Sequence, residues 1–202
     1  MTAIINASSV NGVTITSDTS GSLAIQSNGT TVLTATSTGL VAGASIITSG
    51  TSQASTSGTS IDFTNIPSWV KRVTVMFNGV STNGTSNILV KLGTSGGIIS
   101  TGYISTSVTV NSASGSAGGS STAGFIYYND SASYAHYGSM VLSLEDSANN
   151  IWVSNHTGRP STTNMLCGGG GLTISSVLTQ VRITTANGTD TFDAGSINIL
   201  YE

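Results

Sequence analysis

Short runs in which apolar and polar residues alternate, such as Val73-Thr74-Val75-Met76-Phe77 and Val181-Arg182-Ile183-Thr184, recur along this chain between Asn-Gly dipeptides. Alternation of period two gives a strand one face for a core and one for water or a neighbour. Asn-Gly supplies the positive φ that tight hairpins require, and it occurs at Asn11-Gly12, Asn28-Gly29, Asn78-Gly79, Asn83-Gly84 and Asn187-Gly188. Apolar spacing of helical period is missing throughout. A single helical turn is expected around Pro67-Ser68-Trp69-Val70, where proline pre-sets the first position. The chain is therefore expected to be all-β.

Composition decides between a folded β-protein and a disordered polymer. Serine and threonine make up about a third of the 202 residues, with 25 glycines and 2 prolines. Such a bias suggests low complexity, but disorder goes with high net charge and few β-branched or aromatic residues. Here only 6% of residues are charged, the formal net charge is −3, and 38% are hydrophobic. With 5 basic residues there is no footprint for a phosphate backbone or an anionic bilayer, so neither nucleic acid nor membrane is an expected partner. The single cysteine, Cys167, precludes an intramolecular disulfide. The opening Met1-Thr2-Ala3-Ile4-Ile5-Asn6 lacks the basic and apolar regions of a signal peptide, so synthesis and retention in a cytoplasm are expected unless lysis releases the product.

Three regions follow. Residues 1–47 read as a small N-terminal β module of about four short strands with apolar positions at Val13, Ile15, Leu23, Ile25, Val32 and Leu33. So small a sheet buries too little to offset its ordering entropy, so partners are expected to complete it. Residues 48–60, without an apolar side chain larger than alanine, read as a Ser/Thr/Gly linker. Residues 61–202 read as a jelly-roll-like antiparallel β-sandwich with strands near 61–66, 71–80, 86–92, 103–110, 122–129, 137–145, 150–155, 171–176, 179–185 and 195–201. Its inward positions are expected to be Val73, Val75 and Phe77; Ile88, Val90 and Leu92; Met140, Leu142 and Leu144; Ile197, Ile199 and Tyr201.

Catalytic raw material is sparse. His136 and His156 sit in no metal-ligand pattern. Glu145 and Asp146 are adjacent, so on a strand they point to opposite faces; they read, like Asp190 and Asp193, as turn residues. Cys167 precedes Gly168-Gly169-Gly170-Gly171, but no helix or histidine motif activates it, and the glycines read as a flexible loop. No enzyme activity, metal or cofactor is expected. A glycan depolymerase remains a remote alternative. One cluster invites a binding reading: Tyr127, Tyr128, Tyr134, His136, Tyr137, Trp152, His156 and Arg159, with Asn129 and Asp130 among them. Aromatic faces and hydrogen-bonding groups of this kind suit a glycan or protein receptor. The competing reading is that alternate members are core.

The stretch Val181-Arg182-Ile183-Thr184-Thr185-Ala186-Asn187-Gly188-Thr189-Asp190-Thr191-Phe192-Asp193-Ala194-Gly195-Ser196-Ile197-Asn198-Ile199-Leu200-Tyr201-Glu202 resembles the ending of bacteriophage tail-fibre and related virion surface proteins. Ile61 to Phe77, through Ile66-Pro67-Ser68-Trp69-Val70, is similar to the opening of the same module, and Ile5 to Leu33 resembles the start of phage fibre proteins. No long shaft follows here. The resemblance implies a non-enzymatic homotrimer on the virion surface, bound to other virion proteins through residues 1–50. A short tail fibre or receptor-binding fibre contacting a host surface glycan or protein is the first expectation; a capsid decoration or head-fibre protein that stabilises the shell is the alternative.

Overall fold

A computed structural model of the protein describes residues 23–27, 29–36, 39–42, 47–111 and 115–202. The chain divides into two compact units, Met1–Ile46 and Ile47–Glu202. Within the first, β1 (Leu23–Ser27), β2 (Thr30–Thr36) and β3 (Gly39–Ala42) form an antiparallel sheet in that order. Ser27 pairs with Thr30, the register of a two-residue hairpin, with Gly29 at φ 76°. Leu23 and Ile25, which share a face of β1, are 37% and 47% exposed. The expected strand around Val13 and Ile15 and the Asn11-Gly12 turn lie outside the described residues.

The second unit contains β4 (Thr48–Ser49), β5 (Gln53–Ala54), β6 (Ser60–Phe63), β7 (Arg72–Thr82), β8 (Ile88–Thr94), β9 (Gly97–Ile98), β10 (Ile104–Asn111), β11 (Gly115–Ser121), β12 (Phe125–Tyr127), β13 (His136–Asp146), β14 (Ile151–Arg159), β15 (Asn164–Thr173), β16 (Gln180–Thr185) and β17 (Phe192–Tyr201). They build an antiparallel β-sandwich. The larger sheet has the order β11-β10-β15-β14-β13-β7-β17-β4, with β5 also on β17; the smaller runs β12-β8-β16-β6, with β9 on β8. Strands β6, β7 and β8 alternate between sheets as in a jelly roll, whereas β13, β14 and β15 form an up-and-down meander. Among the described residues there is no helix. Pro67 to Val70 makes one hydrogen-bonded turn, Val70 N to Pro67 O at 3.1 Å.

The alternating residues meet between the sheets as their period requires. Val73, Val75, Phe77, Ile88, Val90, Leu92, Met140, Leu142, Ile197 and Ile199 are buried in one core, and Leu144 and Tyr201 pack on its margin. Phe63, Tyr103, Phe125, Trp152, Leu166, Val181, Ile183 and Phe192 complete it. On the outer face of the small sheet Arg182 donates twice to Asp62, both bonds 2.7 Å. Half-exposed, this pair contributes on the order of 0.5–1 kcal/mol.

Three expectations fail for a common reason, that backbone contacts need no large side chain. Residues 48–60 are not a linker: they run along the edge of β17, with Gly50 N to Ile199 O at 2.8 Å and Ser55 N to Gly195 O at 3.0 Å. Ser55 is fully buried, its hydroxyl donating to Ala194 O at 2.7 Å. The run Gly168–Gly171 is not a loop but the middle of β15, paired on both sides to β10 and β14. A Cβ on Gly168 would lie 2.2 Å from Thr106 O and 2.5 Å from the His156 ring, so only glycine lets that imidazole lie across the strand. β11, Gly115-Ser116-Ala117-Gly118-Gly119-Ser120-Ser121, was not expected as a strand, since it has no apolar alternation.

Two Asn-Gly pairs also do other work than closing hairpins. Asn78-Gly79 lies inside β7, where Gly79 (φ 66°) faces Gly195 (φ 89°) of β17 across a bulged register. A Cβ on Gly195 would stand 2.4 Å from the Gly79 carbonyl, so the bulge is glycine on glycine. Asn83-Gly84 sits on the connection from β7 to β8, which changes sheets.

Candidate functional site

The eight residues of the sequence cluster divide by strand alternation. Tyr127 on β12, His136 on β13, and Trp152 and His156 on β14 point inward and are 0%, 0%, 2% and 3% exposed. They are core, and are corrected out of the binding set. Tyr127 stacks on Phe77 with centroids 4.6 Å apart, flanked by His136 at 5.3 Å and His156 at 5.1 Å. His136 Nε2 meets Asn129 Oδ1 at 3.0 Å. Asn129 uses its amide nitrogen on Gly84 O and Ser86 O, so its Oδ1 accepts and the histidine carries its proton on Nε2. His156 Nε2 reaches Ser107 Oγ at 2.9 Å across Gly168.

Both imidazoles have a second ring nitrogen buried without a partner. Burial pushes their pKa values down to about 4, outweighing for His136 the opposing pull of the Asp130 charge. They are neutral at pH 7.

This polar core has a structural purpose. Ser105 and Ser107 face inward from β10, and their hydroxyls accept from Ile126 N (2.9 Å) and Tyr128 N (3.2 Å). The outer edge of β12 is thus capped by serines of the opposite sheet. Gly158 and Gly138 leave room for the Tyr127 hydroxyl, which a Cβ on Gly158 would meet at 1.8 Å. Small residues let the sheets pinch together at this end, placing serine and glycine inside rather than on the surface.

Tyr128, Tyr134, Tyr137 and Arg159 remain accessible but do not form one site. The loop from Tyr128 to Ala135 separates them. On one side Tyr137, Arg159, Ser133, Pro160 and Ser161 line a hollow of about 410 Å³. On the other, Asp130, Tyr134, Asn164, Asn111 and Thr109 line one of about 200 Å³. There Asn164 Nδ2 donates to the Tyr134 hydroxyl at 2.8 Å, and Tyr128 donates to Asp130 Oδ2 at 3.3 Å. Burial, reinforced by the Asp130 carboxylate, raises both tyrosine pKa values, which keeps them hydroxyl donors. The sequence cluster contained Tyr134 and its neighbour Asp130. Thr109, Asn111 and Asn164 come from β10 and β15, and no local signal in the sequence distinguishes them.

The remaining reactive groups are dispersed. Cys167 is on the β15 face opposite to His156, since its neighbour Gly168 is the residue paired with that histidine. Asp146 accepts from Ala148 N at 2.7 Å and Asn149 Nδ2 at 2.7 Å, closing the β13–β14 turn. Asp190 likewise binds Ser86 N and Asn187 Nδ2. Among the described residues no three of His, Cys, Asp and Glu gather as a metal site would require. No family model, curated protein or solved structure matches the chain.

Proposed function

We propose that this chain is a structural and adhesive component of a bacteriophage virion: a short tail fibre or receptor-binding fibre, homotrimeric, attached through its N-terminal residues and presenting the sandwich to a host surface. The observation that carries the reading is spatial. The two stretches that resemble the opening and ending of the fibre module are hydrogen-bonded neighbours, β6 with β16 and β7 with β17, so the resemblance covers the closure of one folded unit.

Assembly from identical copies is supported by two unpartnered surfaces. Leu23 and Ile25 are exposed on β1, the first strand of a three-stranded sheet. On the outer face of the large sheet Ile104, Val110, Val153 and Met165 are 79%, 46%, 41% and 56% exposed, and the segments 104–111, 153–157 and 165–171 contain no Asp, Glu, Lys or Arg. This patch, which ends before the exposed Arg159 of β14, sets no like-charge repulsion between copies related by symmetry.

The test is immunogold labelling of purified particles with an antibody raised against residues 47–202. Label at the tail or baseplate is the expected result. Label spread over the shell would replace the fibre reading by capsid decoration, and particles without label would end the virion reading altogether.

A further inference from the structure

We infer that the hollow floored by Thr109 and walled by Asn111, Asp130, Tyr134 and Asn164 binds one neutral, hydroxyl-rich sugar residue. This rests on reading the sandwich as the part that meets the host. Its volume of about 200 Å³ is below the ~300–1,000 Å³ of sites for drug-sized molecules, which limits the occupant to about one ring. The chemistry of the lining narrows it further. Asp130 supplies a carboxylate, and the Tyr128 hydroxyl occupies only one of its roughly four lone-pair sites. The rest are acceptors for ligand hydroxyls. With that carboxylate present and no lysine or arginine in the lining, phosphates and carboxylates are repelled. Apart from the Tyr134 ring the lining has no apolar side chain larger than Ala117, so a purely apolar ligand gains little.

Two features mark the hollow as built rather than incidental. Thr109 is 4% exposed and its hydroxyl has no hydrogen-bond partner. A buried hydroxyl left unpaired costs about 1–3 kcal/mol, which a rotation of the side chain toward a ligand hydroxyl in the hollow would recover. The Tyr134 ring is held in advance: its hydroxyl accepts from Asn164 Nδ2 at 2.8 Å, and it packs edge-to-face with His136, centroids 6.0 Å apart. A fixed aromatic face beside a carboxylate and a buried hydroxyl offers C–H stacking and hydroxyl recognition together.

The experiment is saturation-transfer NMR on the purified full-length protein with the methyl glycosides of glucose, galactose, mannose and N-acetylglucosamine. At least one is expected to bind saturably. Asp130→Ala and Tyr134→Ala should each weaken that binding at least tenfold, and Thr109→Val several-fold. Tyr137→Ala, in the other hollow, should leave it unchanged. No saturable signal from any of the four, or binding that survives Asp130→Ala, would overturn the site. The assay does not depend on a virion: labelled particles without sugar binding sink the site alone, and sugar binding without particle label sinks only the virion reading.

Discussion

His136 and His156 illustrate how far a residue's role depends on what surrounds it. Each is neutral inside the sandwich with a pKa of about 4, against about 6.5 in an unfolded chain. As pH falls below 6.5 the unfolded state takes up protons first, so the stability held at pH 7 is lost progressively down to about pH 4. Each histidine contributes on the order of 2–3 kcal/mol to that loss. The urea midpoint should therefore drop steeply between pH 7 and pH 4.5, and His156→Gln should flatten the profile; equal midpoints at the two pH values would contradict this assignment. Glycines differ as sharply among themselves. Gly195→Ala places a methyl 2.4 Å from the Gly79 carbonyl at positive φ and should cost on the order of 2–4 kcal/mol. Gly188→Ala, at φ 69° with open space around it, should cost only about 1 kcal/mol. Thermal unfolding of the two variants side by side measures the difference.

Among the elements, the edge of β17 shows what residues 47–58 contribute. They bring backbone bonds at Gly50 and Ser55, the Ser55 hydroxyl on Ala194, and Gln53 Nε2 on Asp62 O at 2.7 Å. A chain beginning at residue 47 should unfold with the full sandwich's midpoint. One beginning at residue 59 should be markedly less stable, because β17 regains an open edge and a buried ladder loses its partners. Equal circular-dichroism melts for the two truncations would return this segment to the status of a linker. The capping of β12 by Ser105 and Ser107 follows the same logic, with hydroxyls standing in for a neighbouring strand.

At the scale of the whole molecule, the proposed self-assembly would draw on the exposed apolar residues of the large sheet's outer face and of β1. Ile104→Lys, at a position 79% exposed, should leave the urea midpoint within about 0.5 kcal/mol of the parent but lower the mass found by sedimentation. Leu23→Ser with Ile25→Ser should do likewise through the first unit. An oligomer indifferent to both sets would remove these surfaces from the assembly. Period-two alternation was enough by itself to point to the all-β class and to the inward side chains of β7, β8, β13 and β17, because which face a residue occupies is a local property of a strand. Only the tertiary structure decided that Gly168–Gly171 is a sheet centre, that residues 48–60 form an edge, that Tyr127, His136, Trp152 and His156 are core, and that Thr109 and Asn164 join Asp130 at one hollow. These depend on backbone hydrogen bonding and close approach between strands distant in sequence, which leave no trace in side-chain hydrophobicity.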